Sequence, residues 1–443
     1  MIMADRFEDI YTVLNEQVRP ALGCTDPGVI ALATATARKH LKGPLTKVKL
    51  TLSVNVFKNA SAARIPWLGE SGIPLAALLG ALSGDADAGL EVLKTVTEKD
   101  VVEAKRMVGE DFVDIKVKQI CPDLFVEAHL YSNAETAFVR IEDDYTNITL
   151  IKENSEIVFQ QNCDNRECPL KNYDITQINE IIKNIPLDKF GFLLKGLEMN
   201  NALALLGLEC KYGMGVGKSL NKLTEKYHIP QNPLTSVRKL TAAAVDARMG
   251  GADLPAMSTG GSGNQGICAF LPIGIVADYF DIGPDKKLRG LLYSNLLAIY
   301  AKEFIGRLGG ACGASICAGI GVAAATTWML GGTDKQITAA VNNLAGNLSG
   351  MVCDGGKPGC ALKVSTCAAE AVLAAFLALD GVEIEQSDGI IGGSVQKTLE
   401  NIADVCYHGM LETNSCIYKI IKDKMIQEGK EGVTDKCQKF NVL

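Results

Sequence analysis

The sequence predicts an α+β fold, with a mainly antiparallel sheet and helices in the N-terminal part and a large all-helical C-terminal part. Between residues 45 and 165, apolar residues alternate with polar ones, which is the period of a strand with one buried face. After about residue 175 the alternation is lost, and glycine pairs typical of helix ends separate the apolar stretches. A chain of 443 residues suits two domains or one large composite domain.

Residues 1–44 are predicted to form two helices. Apolar residues recur at helical spacing over residues 7–14. The Asp-Pro pair at residues 26–27 is typical of an N-cap followed by the first helical position, which predicts a second helix running to about Leu41.

Residues 45–170 are predicted to form the α+β domain, and residues 171–443 the helical domain. The likeliest boundary is the polar stretch from Arg166 to Thr176. Two helical stretches, about 74–94 and 98–109, fall between the first and second strands. The strands are predicted from alternation over Val48–Val56, Val113–Val117, Leu124–Leu130 and Ala137–Ile141.

Composition limits the classes of function. Hydrophobic residues make up 47% and charged residues 21%, which excludes a disordered chain. The net charge is −7 and no basic block stands out, which disfavours binding to nucleic acid or to an anionic membrane. The apolar windows Ala314–Leu330 and Cys367–Leu379 are short for a membrane span, and we interpret them as buried helices.

The cysteine count is high for a protein expected in the cytoplasm. The first residues lack the apolar stretch of a signal peptide, so the 14 cysteines are expected to stay reduced. Such cysteines point to metal binding, catalysis or core filling rather than to disulfides.

Cys24 lies in the segment GCTDPG, just before a predicted helix. The unpaired N–H groups and the positive dipole end of a helix favour a thiolate at this place, which makes Cys24 a candidate base or nucleophile. A small buried residue ahead of a helix cap is the alternative.

Cys312, Cys353 and Cys360 form a second candidate group. Cys353 and Cys360 flank a loop rich in Gly and Pro, and their spacing matches neither a zinc ribbon nor a ferredoxin. Thiolates without histidine favour an iron–sulfur cluster, and three of them would leave one iron open. Core filling remains the alternative from the spacing alone.

The loop at residues 259–266 (TGGSGNQG) is rich in hydrogen-bond donors. Its backbone, with Ser262 and Asn264, suits a carboxylate, although a plain turn between helices has the same composition. The loop also matches GxGxxG, but no strand–helix–strand unit surrounds it, so we reject dinucleotide binding.

Three more polar residues follow the first predicted strand, in what the sequence predicts to be a loop. Lys58, Asn59 and Arg64 could bind an anionic small molecule there, or could belong to a solvated loop. The P-loop-like segment at 213–219 lacks its first glycine and a preceding strand, so nucleotide binding is disfavoured.

Four segments together resemble the L-cysteine desulfidases, a family related to the iron–sulfur L-serine dehydratase alpha chain. They are residues 20–27 (PALGCTDP), 258–266 (STGGSGNQG), 310–313 (GACG) and 351–355 (MVCDG). The resemblance covers nearly the whole chain. The seven-residue spacing of Cys353 and Cys360 is similar to that of the desulfidases and unlike the wider spacing of the dehydratases.

This resemblance implies a lyase that uses a 4Fe–4S cluster held by Cys312, Cys353 and Cys360, with Cys24 as the proton acceptor. The implied reaction is β-elimination of L-cysteine to hydrogen sulfide, ammonia and pyruvate, without pyridoxal phosphate. An L-serine ammonia-lyase with the same cluster is the first alternative. A transport module, or a binding or redox-sensing protein without turnover, is the more remote one.

We expect Ser262 and Asn264 to orient the substrate carboxylate, with Lys58, Asn59 and Arg64 as weaker candidates for substrate binding. The expected ligand is a small amino acid, with no nucleic acid or membrane partner and with a possible homo-oligomer. Cys437, near the C-terminus, is a candidate to cap the open iron in a resting state.

Overall fold

The computed structural model describes residues 2–66, 68–161, 168–306 and 308–427; Cys437, predicted above as a cap of the cluster, lies outside them. The strands are β1 (Pro20–Leu22), β2 (Lys47–Ser53), β3 (Val113–Lys118), β4 (Phe125–Tyr131), β5 (Thr136–Glu142), β6 (Ile148–Glu153), β7 (Glu156–Gln160) and β8 (Pro255–Met257). The α-helices are α1 (Ile2–Gln17), α2 (Thr25–Lys39), α3 (Val54–Ala60), α4 (Ile73–Ser83), α5 (Glu98–Gly109), α6 (Ile175–Asn184), α7 (Phe192–Glu209), α8 (Val216–Lys226), α9 (Pro233–Met249), α10 (Gly263–Tyr279), α11 (Pro284–Ile305), α12 (Gly313–Met329), α13 (Asp334–Leu348), α14 (Cys360–Leu379), α15 (Val395–Asp404) and α16 (Leu411–Gln427).

The chain divides into two compact units. The helical unit takes in the residues up to Thr25, the segment Ala62–Ser71 and the described residues of Asp164–Glu412. The sheet unit takes in Asp26–Ser61, the described residues of Gly72–Cys163 and those from Thr413 on. Each unit therefore consists of several separate stretches of chain.

The sheet unit is built on six strands in the order β3-β2-β4-β5-β6-β7. The β2–β3 pair is parallel, and every other neighbouring pair is antiparallel. On β2 the apolar residues Val48, Leu50 and Leu52 are buried, as the alternation requires. The predicted α+β class with a mainly antiparallel sheet is confirmed.

The first strand is shorter than the alternation predicts. It ends at Ser53, where the Ser53 hydroxyl accepts a hydrogen bond from the Val56 amide and so caps helix α3. Val54 and Val56 are buried on that helix rather than on a strand. Two valines two residues apart fit either structure, and the cap decides between them.

Two helix predictions are wrong at their ends. Helix α2 begins at Thr25, so Asp26 is not its N-cap, because hydrogen bonds from Asn59 and Tyr145 engage the Asp26 carboxylate instead. The helix predicted over 74–94 ends at Ser83, since Gly84 adopts an extended conformation. A short 3₁₀ helix follows at 86–91.

The helical unit is centred on α10, α11 and α12, and most residues of each of these helices are buried. Small residues let these helices approach closely: a Cβ on Gly321 of α12 would lie 2.1 Å from the Ser294 carbonyl oxygen of α11. This part of the chain is not wholly helical, because β8 pairs antiparallel with β1 and aligns Ala256 with Ala21. Three-residue strands carry too few residues to show an alternation.

Among the described helices, α14 alone is long and apolar enough to cross a membrane by length and composition. In the structure it packs against α9, α12 and α13. Core helices of globular proteins have the same composition, and the packing of α14 agrees with that alternative.

Candidate functional site

Cys312 and Cys353 are joined by a short antiparallel bridge within the helical unit. The Cys312 amide donates to the Met351 carbonyl at 2.8 Å, and the Cys353 amide donates to the Gly310 carbonyl at 2.7 Å. Ala311 and Val352 pair between them. Segments 40 residues apart are thereby placed side by side with their cysteines.

Two of the three predicted cluster cysteines lie at the starts of two packed helices. Cys312 immediately precedes α12, and Cys360 is the first residue of α14. Cys353 lies in the connection between α13 and α14. The N-terminal end of a helix stabilises negative charge, and at Cys312 and Cys360 this opposes the burial that favours the neutral thiol.

The thiols of this group influence one another electrostatically. Burial, together with negative charge on Cys353 and Cys360, raises the pKa of the Cys312 thiol to about 12, although the hydrogen bonds of Ser315 oppose the rise. The Ser315 hydroxyl lies 3.3 Å from the Cys312 sulfur. Burial also raises the pKa of Cys360, with a contribution from Cys353. Because such effects weaken with distance, the three thiols share one neighbourhood.

Two lysines bring positive charge to this neighbourhood. Lys357 and Lys363 both pair with Asp354, and Lys363 Nζ also donates to the Val352 carbonyl at 2.7 Å. Burial alone would raise the pKa of Asp354, but the two lysines lower it to about 2. Two cations and one carboxylate leave a net positive charge beside the thiols, which favours an anionic centre.

The donor set fits an iron–sulfur cluster in its chemistry. It offers three thiols beside a net positive charge, as soft, anionic clusters require. Within the described part of the chain, no three His, Cys, Asp or Glu side chains could hold a single metal ion. The three thiols would therefore hold a multi-iron cluster rather than a single metal ion.

The loop at 258–264 is fixed to the first helix of the helical unit. The Ser258 amide donates to the Arg19 carbonyl, and the Gly260 amide donates to the Gln17 carbonyl, both at 2.8 Å. The Ser262 hydroxyl accepts from the Gln265 amide at 3.3 Å and so caps α10. Ser262 therefore has a structural role, and its hydroxyl proton remains able to donate to a ligand.

Gln265 links this loop to the cysteine group. Its side chain is fully buried, and its Oε1 atom has no hydrogen-bond partner in the described chain. A Cβ placed on Gly313, the residue after Cys312, would lie 3.8 Å from that oxygen. The starts of α10 and α12 are thus neighbours, and the predicted carboxylate loop lies beside a predicted cluster ligand.

Cys24 lies in a tight turn between β1 and α2. It is 7% exposed, and α2 begins at the next residue. Gly23 has a φ of 68°, and a Cβ there would lie 2.5 Å from the Pro66 ring, so only glycine fits. This contact places the segment that contains Arg64 against the Cys24 turn.

Lys58 and Asn59 are not in a solvated loop, and that expectation is wrong. Both lie on α3 in the sheet unit, where Lys58 is 1% exposed and donates to Asn414 Oδ1 at 2.8 Å. Asn59 donates to Asp26 Oδ1 at 3.4 Å. Their polar groups belong to a buried network of that unit.

The P-loop-like segment encloses a carboxylate of the protein itself. The amides of Met214, Gly215 and Gly217 donate to the buried Asp246 side chain at 2.9–3.2 Å. The sequence prediction against nucleotide binding agrees with this arrangement, since the amides that would hold a phosphate are engaged.

Arg248 was not predicted from the sequence as a functional residue. It is 2% exposed, and its Nη1 donates to Asn264 Oδ1 at 2.9 Å. The sequence does contain a signal for it: Asp246 and Arg248, two residues apart, are charged residues in the otherwise apolar end of α9. Asp246 is explained by the loop that it holds, whereas Arg248 is not.

Comparison with known proteins gives a consistent result. A family model described as the serine dehydratase alpha chain matches residues 87–419. A UPF0597 protein of Clostridium botulinum strain Okra is 36% identical over 424 residues, which is 95% of this chain and 98% of that protein. The UPF0597 protein YhaM of Shigella boydii serotype 4 is 38% identical over 419 residues, which is 93% of this chain and 96% of that protein. The family match includes the three cysteines and the loop at 258–266.

Proposed function

Because the chain belongs to the family of the serine dehydratase alpha chain, we propose that it is a lyase that eliminates the β-substituent of an amino acid, with L-cysteine as the substrate. The observation that supports this proposal is the backbone bridge that places Cys312 beside Cys353, with the residue after Cys312 next to Gln265 of the predicted carboxylate loop. The products are hydrogen sulfide, ammonia and pyruvate.

In this proposal Cys312, Cys353 and Cys360 hold a 4Fe–4S cluster. When bound, such a cluster supplies an open, Lewis-acidic iron that stabilises developing negative charge. Lys357 and Lys363 lower the cost of gathering three thiolates, since they add positive charge beside them. Pyridoxal phosphate has no role here, and Lys363 is already held by Asp354 and the Val352 carbonyl.

The chain's own residues then handle the proton and the substrate. The Cys24 thiolate removes the α-proton, and the C–H electron pair forms the Cα–Cβ double bond. The Cβ–S bond breaks, and the sulfur leaves with its electron pair as hydrosulfide. The aminoacrylate tautomerises to an imine, which water hydrolyses to pyruvate and ammonia.

L-serine is the second candidate substrate, because the matching family model is named for serine dehydratase. Loss of water from serine uses the same proton transfer and differs only in the leaving group. The seven-residue spacing of Cys353 and Cys360 favours cysteine, as the resemblance implies. The ratio of kcat/KM for the two amino acids, measured anaerobically, decides between them.

We propose a cytoplasmic location, a small amino acid as the ligand and a possible homo-oligomer. A cluster with an open iron needs a reducing compartment, which the cytoplasm provides. The net charge of −7 favours neither nucleic acid nor an anionic membrane as a partner.

The test is Cys353→Ala, with Cys210→Ala as the matched control. Cys210 is an exposed cysteine at the end of α7 in the same unit. Cys353→Ala should lose the bound iron, the acid-labile sulfide and all pyruvate formation, while the control keeps all three. Full activity in an iron-free Cys353→Ala protein contradicts the proposal, and so does an iron-loaded wild type that releases no sulfide from cysteine and no pyruvate from serine.

A further inference from the structure

Arg248 is a buried cation whose hydrogen bonds go to uncharged groups. It lies on the last turn of α9 and is 2% exposed. Its Nη1 donates to Asn264 Oδ1 at 2.9 Å and lies 3.4 Å from the Met249 sulfur. Its Nε is buried and has no acceptor in the described chain.

Such an arrangement is unfavourable for the protein by itself. Burying a guanidinium costs much of its hydration, and an uncharged amide returns only part of that. The buried carboxylate of Asp246, two residues earlier on α9, receives three backbone amides, whereas the Nε of Arg248 has no partner in the described chain. Arg248 thus lacks the counter-charge that would make its burial favourable.

The guanidinium lies against the start of α10. A Cβ on Gly263, the first residue of that helix, would be 2.3 Å from Nε and 2.5 Å from Cζ of Arg248. The first amides of a helix have no intrahelical acceptor. Here the Ser262 hydroxyl accepts a hydrogen bond from the amide of Gln265, the third residue of the helix. The amides of Gly263 and Asn264, which have no intrahelical acceptor, can therefore donate to an anion beside Arg248.

Asn264 completes the set of donors. Its Oδ1 is engaged by Arg248, so its NH₂ group is the part of the amide left to donate to a ligand. The buried guanidinium, this NH₂ group and the two helix amides all act as donors in one place. No carboxylate of the protein pairs with Arg248 in the described chain, so the missing partner is an anion from outside.

We infer that Arg248, with Asn264 and the first amides of α10, binds the α-carboxylate of the amino-acid substrate. This inference rests on the proposed function. A planar guanidinium fork matches a carboxylate with two parallel hydrogen bonds. Gln265, the residue after Asn264, reaches Gly313, so this helix start is next to the residue that follows Cys312.

The test measures binding apart from turnover. Anaerobic calorimetry on the iron-loaded protein uses pyruvate, which has the carboxylate but neither ammonium nor thiol, and inorganic phosphate as a second anion. Arg248→Met should weaken pyruvate binding roughly 10- to 100-fold, as expected for loss of charged hydrogen bonds. KM for L-cysteine should rise by a similar factor, with the iron content unchanged.

Arg238→Met is the matched control. Arg238 lies on the same helix α9 and makes only a partly exposed ion pair with Glu370, at 3.7 Å. The Arg238→Met variant should bind pyruvate with the affinity of the wild type. Should Arg248→Met fail to fold, Arg248→Lys keeps the charge but loses the planar fork, and a fivefold or greater loss of pyruvate affinity is expected from it.

Three binding results overturn the inference: pyruvate binding that is unchanged in the Arg248 variants, pyruvate binding that is absent from the wild type, and phosphate bound more tightly than pyruvate at Arg248. Normal lyase activity in Arg248→Met contradicts the inference about Arg248 but agrees with the proposed function. Arg248-dependent pyruvate binding in a wild type without lyase activity agrees with the inference but contradicts the proposed function.

Discussion

Gly263→Ala should disable the Arg248 site while leaving the fold intact. The new Cβ would lie 2.3 Å from Arg248 Nε, whereas ordinary contact begins at 3.4 Å, so the guanidinium must retreat by about 1 Å. Since the displaced atoms end a flexible side chain, the free energy of unfolding should fall by only about 1–3 kcal/mol. Misplacement by about 1 Å typically costs 10²-fold in rate, so kcat/KM for L-cysteine should fall roughly 100-fold.

The assay is anaerobic pyruvate formation, with urea unfolding of the same preparations. Gly283→Ala is the control, because Gly283 precedes α11 in the same unit and a Cβ there meets no atom within 4 Å. The control should stay within twofold of the wild type. A Gly263→Ala enzyme within threefold of wild-type kcat/KM refutes the reasoning, as does an equal loss in the control.

Three further predictions concern the single side chains of Cys24, Asp246 and Tyr300. Cys24→Ala should keep the iron content and lose at least about 100-fold in kcat, because the proposed base is removed. Asp246→Ala should lower the free energy of unfolding in urea by about 3–5 kcal/mol, since three buried amides lose their acceptor. Tyr300→Phe should leave stability at pH 7 unchanged or raise it by about 1 kcal/mol, because the Tyr300 hydroxyl is buried without a partner. Burial raises the pKa of Tyr300 to about 12, so the folded protein binds the proton more tightly and stability falls between about pH 10 and 12; Tyr300→Phe should reduce that fall.

Each of these has a contrary result. Turnover retained in Cys24→Ala reassigns the base. A loss below about 1 kcal/mol in Asp246→Ala means that water replaces the carboxylate as the acceptor. An alkaline fall in stability that is as steep in Tyr300→Phe as in the wild type shows that Tyr300 does not contribute to it.

The fold class followed from the sequence because the two hydrophobic periods are well separated along the chain. Alternation marked β3, β4 and β5, and its loss marked the helical region. Element ends were harder to predict, because polar residues have several possible partners. Asp26 resembles an N-cap, yet its carboxylate accepts hydrogen bonds from Asn59 and Tyr145, which lie far away in the chain.

The candidate site was predicted in part. The segments that hold Cys24, the three later cysteines and the loop at 258–266 could be singled out by residue type and by resemblance. Lys58 and Asn59 were placed in a loop, because a polar run after a strand is usually solvated, whereas both are buried on α3. Arg248 was not predicted, although charged residues in the apolar end of a helix are a signal, because an arginine in a helix is ordinary until its burial and its partners are known.

The order of residues along the chain determined by itself the two hydrophobic periods, the supply of thiols and the donor-rich loop, since these depend on local spacing alone. Only the tertiary structure decided which of these features meet. A backbone bridge between residues 310–312 and 351–353 brings two cysteines together, and Gly263 lets a guanidinium reach the start of α10. Contacts between distant segments depend on packing and desolvation over the whole unit, so local patterns in the sequence do not predict them.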